Sequence, residues 1–192
     1  MRITKLGEEI LRQKCEIVKP EEINDEMREL LNEMFETMVS ANGVGLAAPQ
    51  VGIAKRFFVI DVGDDVRRVF INPEIIKTSE ETSSYEEGCL SLPGFSEEII
   101  RPEKVSVSAL NENGKPFVIN DADGLLARCI KHENDHLDGV LYIDHGDEAY
   151  KQEVIEAMKR RAERAEKKAA AKEAKQRSIA AKKAAKEAKK NK

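Results

Sequence analysis

From Lys159 onward this chain has almost nothing with which to build a core. The stretch "KRRAERAEKKAAAKEAKQR" is Ala, Lys, Arg, Glu and Gln. Such residues favour a helix by propensity but leave no apolar stripe to bury. Any packed core must therefore come from the residues before Lys159, where Tyr150, Val154, Ile155 and Met158 can still face it; that is enough for one domain of useful size. Charge divides near the same place. Residues 151–192 carry 16 Lys+Arg against 6 Asp+Glu, and residues 1–150 carry 16 against 30. The formal net charge of −4 thus hides an acidic body, 1–150, and a basic helical tail, 151–192, with different partners expected for each.

Several classes fall away early. The start, "MRITKLGEEILRQK", has no long apolar run, so no secretory signal is expected there. No stretch approaches the roughly 18 apolar residues of a membrane span. Three cysteines at scattered spacings point to reduced thiols and a cytoplasmic protein, not to a disulfide framework.

Periodicity then divides the body. Met27, Leu30, Leu31, Met34, Phe35, Met38 and Val39 recur at helical spacing, which predicts an amphipathic helix over 25–41. "GVGLAAPQVG", 43–52, is too broken for a helix and too apolar for an ordinary surface loop. It reads as a buried turn, or as a loop whose glycines let backbone approach a ligand. Strands are predicted at 56–62, 67–72, 74–78, 81–86, 97–101, 104–111 and 116–120. A second helix runs from about Asp123 to Gly139, and a third follows Asp147. The fold class is α+β: small antiparallel or mixed sheets around a central helix, with a long C-terminal helix.

The second helix carries "HENDH", 132–136. Residues i and i+4 share a helical face, so His132 and His136 can address one ion. Leu125, Cys129, His132 and His136 form one inward row; Leu126, Ile130, Glu133 and Leu137 form its neighbour. An inward Glu beside two inward His is costly unless a metal, water or partner satisfies them. Glu133 can reach a metal-bound water without ligating the metal. A catalytic site wants a third protein ligand and an open fourth position. Cys89, Cys129, Cys15 and His145 are the candidates, and spacing alone does not choose among them.

"GVGLAAPQVG" at 43–52, "EGCLSLPG" at 87–94 and "HENDHLDG" at 132–139 together resemble the three signature motifs of the peptide deformylases. The resemblance covers roughly residues 1–150 and leaves the tail aside. One departure is Lys131, where many members carry Gln; its side chain is expected to face away from the metal. The resemblance implies that Cys89, His132 and His136 bind the metal, that Glu133 is the general acid/base, and that Gln50 is an oxyanion-side donor; the backbone N–H of Leu90 and the metal itself can supply the other donors an oxyanion needs. It implies N-formylmethionyl nascent peptides as substrates, with release of formate. One divalent ion is expected, iron(II) in the cell; zinc, nickel and cobalt suit the same ligands. Gly43 and Gly45 are expected to let the peptide backbone pair alongside, with Val44, Leu125, Cys129 and the edge of His132 walling a pocket for the methionine side chain.

The basic tail supports a reading of another class, a ribosome- or RNA-binding protein with a purely structural metal. A structural site wants four protein ligands and no acid/base, so Glu133 and Gln50 favour the enzyme. The two readings combine if the tail holds the enzyme near ribosomal RNA.

Overall fold

The first helix, α1 (Asp25–Ser40), is capped by Asn24, whose side chain accepts the Met27 N–H at 3.0 Å. Asp25 and Glu26 occupy its first turn, where the helix dipole favours negative charge. Met27, Leu31, Met34, Phe35 and Met38 are buried. In this computed structural model the described residues are 1–190, with side chains described as far as Arg177. Residues 191 and 192 of the expected tail lie outside them.

Seven strands follow: β1 (Gly45–Ala47), β2 (Phe57–Ile60), β3 (Arg68–Thr78), β4 (Thr82–Gly88), β5 (Ser96–Pro102), β6 (Val105–Leu110) and β7 (Pro116–Ala122). One sheet has the order β1-β2-β3-β6-β7, and β4 and β5 form a separate ribbon. Among the described residues every strand pair is antiparallel, so the mixed alternative is dropped; a parallel pairing occurs there only as an isolated bridge, Glu16 to Lys55.

Two expectations needed correction. The stretch read as a turn contains β1, with Leu46 opposite Val59; its three residues are all buried, and three residues are too few to show a period. The strands expected at 67–72 and 74–78 are one, β3. Pro73, between the two expected ranges, sits where the register with β6 shifts, between Ile71 and Glu74, a place that tolerates proline. Asn72 turns the bend at φ 50°, its side chain accepting from Val18 N–H and donating to Val18 O, each at 2.8 Å.

Alternation along β2 divides the core. Phe57 and Val59 join Met34, Phe35, Met38 and Leu46 on the α1 side. Phe58 and Ile60 join Phe70, Val107, Ala127 and Ile130 on the other. The second of these faces belongs to α2 (Gly124–Leu137), so the sheet is covered on one face by α1 and on the other by α2. The two-residue period of a strand puts neighbours on opposite faces, which is how a four-residue strand serves both cores.

The chain divides into two units, Met1–Gln152 and Glu153–Lys192. The last helix, α3, runs Glu148–Lys190. Within the second unit Arg160 pairs with Glu156 and Arg177 with Glu173, both four apart, contacts worth a few tenths of a kcal/mol each. Among the described residues no helix is long and apolar enough to cross a membrane.

Candidate metal centre

One turn of α2 separates His132 from His136, and their ring centroids lie 5.1 Å apart. Cys89 follows the end of β4, at the start of a turn closed by Leu92 N–H to Cys89 O at 2.9 Å. Its Sγ lies 3.3 Å from His136 Nε2. One donor atom from each of Cys89, His132 and His136 falls within 4.8 Å of the others. A thiolate and two imidazoles suit a divalent transition ion with a fourth position left open. Of the other candidates, Cys129 is buried in α2 and burial pushes its thiol up to about 12. Burial likewise raises Cys15 to about 11. His145 is exposed, and its Nε2 meets Asp135 Oδ2 at 2.8 Å.

Burial alone would raise the Cys89 thiol, but His136 and His132 outweigh it and hold the thiol well below its ordinary value. That favours the thiolate, the form that binds metal. His132 Nδ1 meets the buried carboxylate of Glu87 at 2.9 Å. With the proton on Nδ1, Nε2 is left for an ion. Glu87 is itself gripped by Arg101, at 2.6 and 3.0 Å, and by Arg128 at 3.0 Å. Against the raising effect of burial, His132 and Arg101 bring the Glu87 carboxyl down to about 2. Arg101 continues to Asp135 at 2.6 Å. Sequence reasoning missed this ionic cluster. One signal was available: Arg128 lies four before His132, on the same helical face.

Glu133 is buried, and its Oε2 has no hydrogen-bond partner among the protein atoms. Burial pushes its carboxyl up to about 7, against the lowering pull of His132 and His136. A carboxylate with that value, beside a set of metal donors, is poised to exchange a proton near neutrality. It rests against Gly45. A Cβ added there would lie 2.9 Å from both Cγ and Cδ of Glu133 and nearer still to Oε1. Only glycine fits without displacing the carboxylate. A Cβ at Gly43 would likewise lie 2.7 Å from Leu90 Cδ1.

Gln50 is buried in the short 3-10 turn Ala48–Val51. Its Oε1 accepts Ala47 N–H at 2.8 Å, which turns Nε2 toward Ser91 Oγ at 3.3 Å and Cys89 Sγ at 3.4 Å. Leu90 stands in the turn after Cys89, its carbonyl bound by Lys5 Nζ at 2.7 Å. A recess of about 590 Å³ opens beside these groups, and Gly43, Val44, Gly45, Leu125, Cys129 and His132 are among its walls. The recess is of small-ligand size. Tyr85 also lines it, and the Arg128 guanidinium lies 5.7 Å from the centre of the Tyr85 ring. Lys131 is not among the lining residues.

Comparison with known proteins agrees with this arrangement. Residues 1–152 match the family model described as polypeptide deformylase. A peptide deformylase 1 from Clostridium perfringens is 55% identical over 139 residues, 72% of this chain and 92% of that protein. A peptide deformylase from Treponema pallidum is 50% identical over 155 residues, 81% of this chain and 93% of the other. Among solved structures, the Synechococcus elongatus peptide deformylase in complex with actinonin is 44% identical, with a TM-score of 0.75 over 83% of this chain and 86% of that one. The Thermotoga maritima peptide deformylase is 42% identical, with a TM-score of 0.72 over 76% and 97%.

Proposed function

Because the chain belongs to the polypeptide deformylase family, and so hydrolyses the formyl group from the N-terminal formylmethionine of nascent peptides, we propose a residue-level division of that work. Cys89, His132 and His136 hold one divalent ion, Glu133 moves the proton, and Gln50 and Leu90 donate to the oxyanion. The observation that carries this reading is the buried Glu133 carboxylate, its Oε2 without a protein partner, next to the Cys89, His132 and His136 donors.

When bound, the ion supplies Lewis acidity, polarising the formyl carbonyl and acidifying water. Glu133 takes a proton from the water as it attacks the formyl carbon, then returns it to the leaving amine as the C–N bond breaks. Formate and a free α-amino group result. The Gln50 amide, fixed by Ala47 N–H, and the Leu90 N–H donate to the oxygen that gains charge. Donors held in advance need no reorganisation as the charge develops. The methionine side chain enters the recess between Val44, Leu125, Cys129 and the edge of His132, and its backbone pairs along Gly43–Gly45 in strand fashion.

A thiolate–imidazole set accepts iron(II), zinc, nickel or cobalt. The resemblance to the deformylases favours iron(II), and the substrate favours a cytoplasmic enzyme. Residues 1–150 form the catalytic domain. The tail, 151–192, with 16 basic residues against 6 acidic, makes weak, salt-sensitive contacts with ribosomal RNA, keeping the enzyme near its substrates.

The test is metal analysis of anaerobically purified protein beside formate release from a formyl-Met peptide. Glu133→Gln should keep the ion and lose nearly all turnover, because an amide cannot shuttle the proton. Full turnover in that variant would refute the assignment.

A further inference from the structure

The two protein donors proposed for the oxyanion lie far apart in sequence, Gln50 in one turn and Leu90 in another. The segment 4–6 binds both turns. Thr4 N–H donates to Gln50 O at 2.8 Å, and Thr4 Oγ1 to Pro49 O at 3.0 Å. Leu6 N–H donates to Ser91 O at 3.1 Å, and Lys5 Nζ to Leu90 O at 2.7 Å. The Thr4 and Leu6 N–H contacts are backbone to backbone, so they depend little on residue type. The Lys5 contact needs a long side chain that ends in a donor.

Leu90 and Ser91 are the central residues of the turn closed by Leu92 N–H to Cys89 O. In a four-residue turn the central peptide is the one that differs in orientation between the two commonest types, while the closing hydrogen bond is kept. Lys5 holds the oxygen of that peptide. Lys5 is half-buried and lines the same recess as Cys89 and Glu133, so it also brings positive charge to the side of the site where negative charge develops.

We infer that Lys5 is a positioning residue for deformylation: by holding the Leu90 carbonyl it fixes the Leu90–Ser91 peptide and with it Ser91, whose Oγ accepts the Gln50 amide at 3.3 Å, so that the amide stays aimed beside Cys89. The inference rests on the reading of Gln50 as an oxyanion donor.

The experiment uses the full chain loaded with cobalt(II), comparing wild type with Lys5→Met, Lys5→Arg and Gln50→Ala. Steady-state formate release from a formyl-Met peptide is read beside the visible absorption of the bound cobalt. Lys5→Met should lower kcat about tenfold, less than the ~100-fold typical of a lost oxyanion donor. Its KM and cobalt spectrum should match wild type, and Lys5→Arg should recover most of the rate. The inference is overturned if Lys5→Met keeps wild-type kcat, if Lys5→Arg loses as much as Lys5→Met, or if the cobalt spectrum changes with the rate. Loss of rate in Gln50→Ala with none in Lys5→Met would sink the Lys5 role and leave the oxyanion reading standing. Full kcat in Gln50→Ala would remove the oxyanion reading, and the Lys5 role with it.

Discussion

Gly45→Ala is the most informative single change, because it adds one carbon and removes nothing. That carbon would sit 2.9 Å from Cγ and Cδ of Glu133, inside any ordinary carbon–carbon contact. β1 is buried and hydrogen-bonded to β2, so the backbone has little room to yield, and Glu133 must move instead. Relief requires a retreat of about 1 Å, a misplacement of the size that can cost on the order of 100-fold in rate. That corresponds to about 2.7 kcal/mol in the barrier. The three atoms nearest the added carbon all belong to Glu133 and none to a ligand side chain, so metal content should be unchanged. The assay is kcat for formate release from a formyl-Met peptide, with metal content and thermal unfolding measured on the same sample. A folded, metal-replete Gly45→Ala protein with kcat within a few-fold of wild type would refute the argument that Glu133 must stay where Gly45 admits it.

Cys89→Ala should lose both metal and activity, whereas Cys129→Ala should keep its metal; elemental analysis separates the two, and the reverse pattern would mean the ligand set is wrong. Glu87→Gln leaves Arg101 and Arg128 buried without their shared carboxylate and should cost about 3–5 kcal/mol of stability, read by denaturant unfolding; a loss under 1 kcal/mol would show that the cluster contributes little. Because the folded Glu87 carboxyl lies near 2 against an ordinary 4.5, its stabilising contribution is complete above about 4.5 and is lost as pH falls toward 2. Glu87→Gln should therefore flatten the wild-type loss of stability across that window; an unchanged acid limb in the variant would contradict the assignment. Deleting residues 160–192 should leave turnover of a short formyl-Met peptide almost unchanged and weaken co-sedimentation with ribosomes at low salt. Equal co-sedimentation of both forms would reduce the tail to a solubilising helix.

Much of the framework was legible because long periodic segments declare themselves. Most of the α1 face was readable, although Val39, placed in its stripe, is exposed at the helix end. The row Cys129, His132, His136 placed two histidines on the inner side of α2, while Leu125, expected in that row, is 37% exposed. The third donor was not legible from spacing. Cys129 shares a helical face with His132, and only the fold brings the turn after β4 to the histidines; the motif resemblance, not periodicity, favoured Cys89. The ionic cluster was hidden for a related reason. Arg101 and Ser83 become partners only once the β4–β5 register is known, and Glu87 lies in a strand whose other residues are almost all exposed. β1 escaped because a short, fully buried strand shows no alternation, and the strands expected at 67–72 and 74–78 are one because the chain carries Pro73 through a bulge.

Cys89 and the two histidines enter from different layers, one from the end of a two-stranded ribbon and two from the helix behind the main sheet. An ion shared by them is also a staple. It closes the long loop of chain between residues 89 and 132, and so removes freedom from the unfolded ensemble as a disulfide would, in a chain whose cysteines are all free. Catalyst and cross-link are then one object. Stripping the metal should loosen the ribbon before the helix, and the first amides to exchange faster should be those of Thr82–Gly88 and Ser96–Pro102.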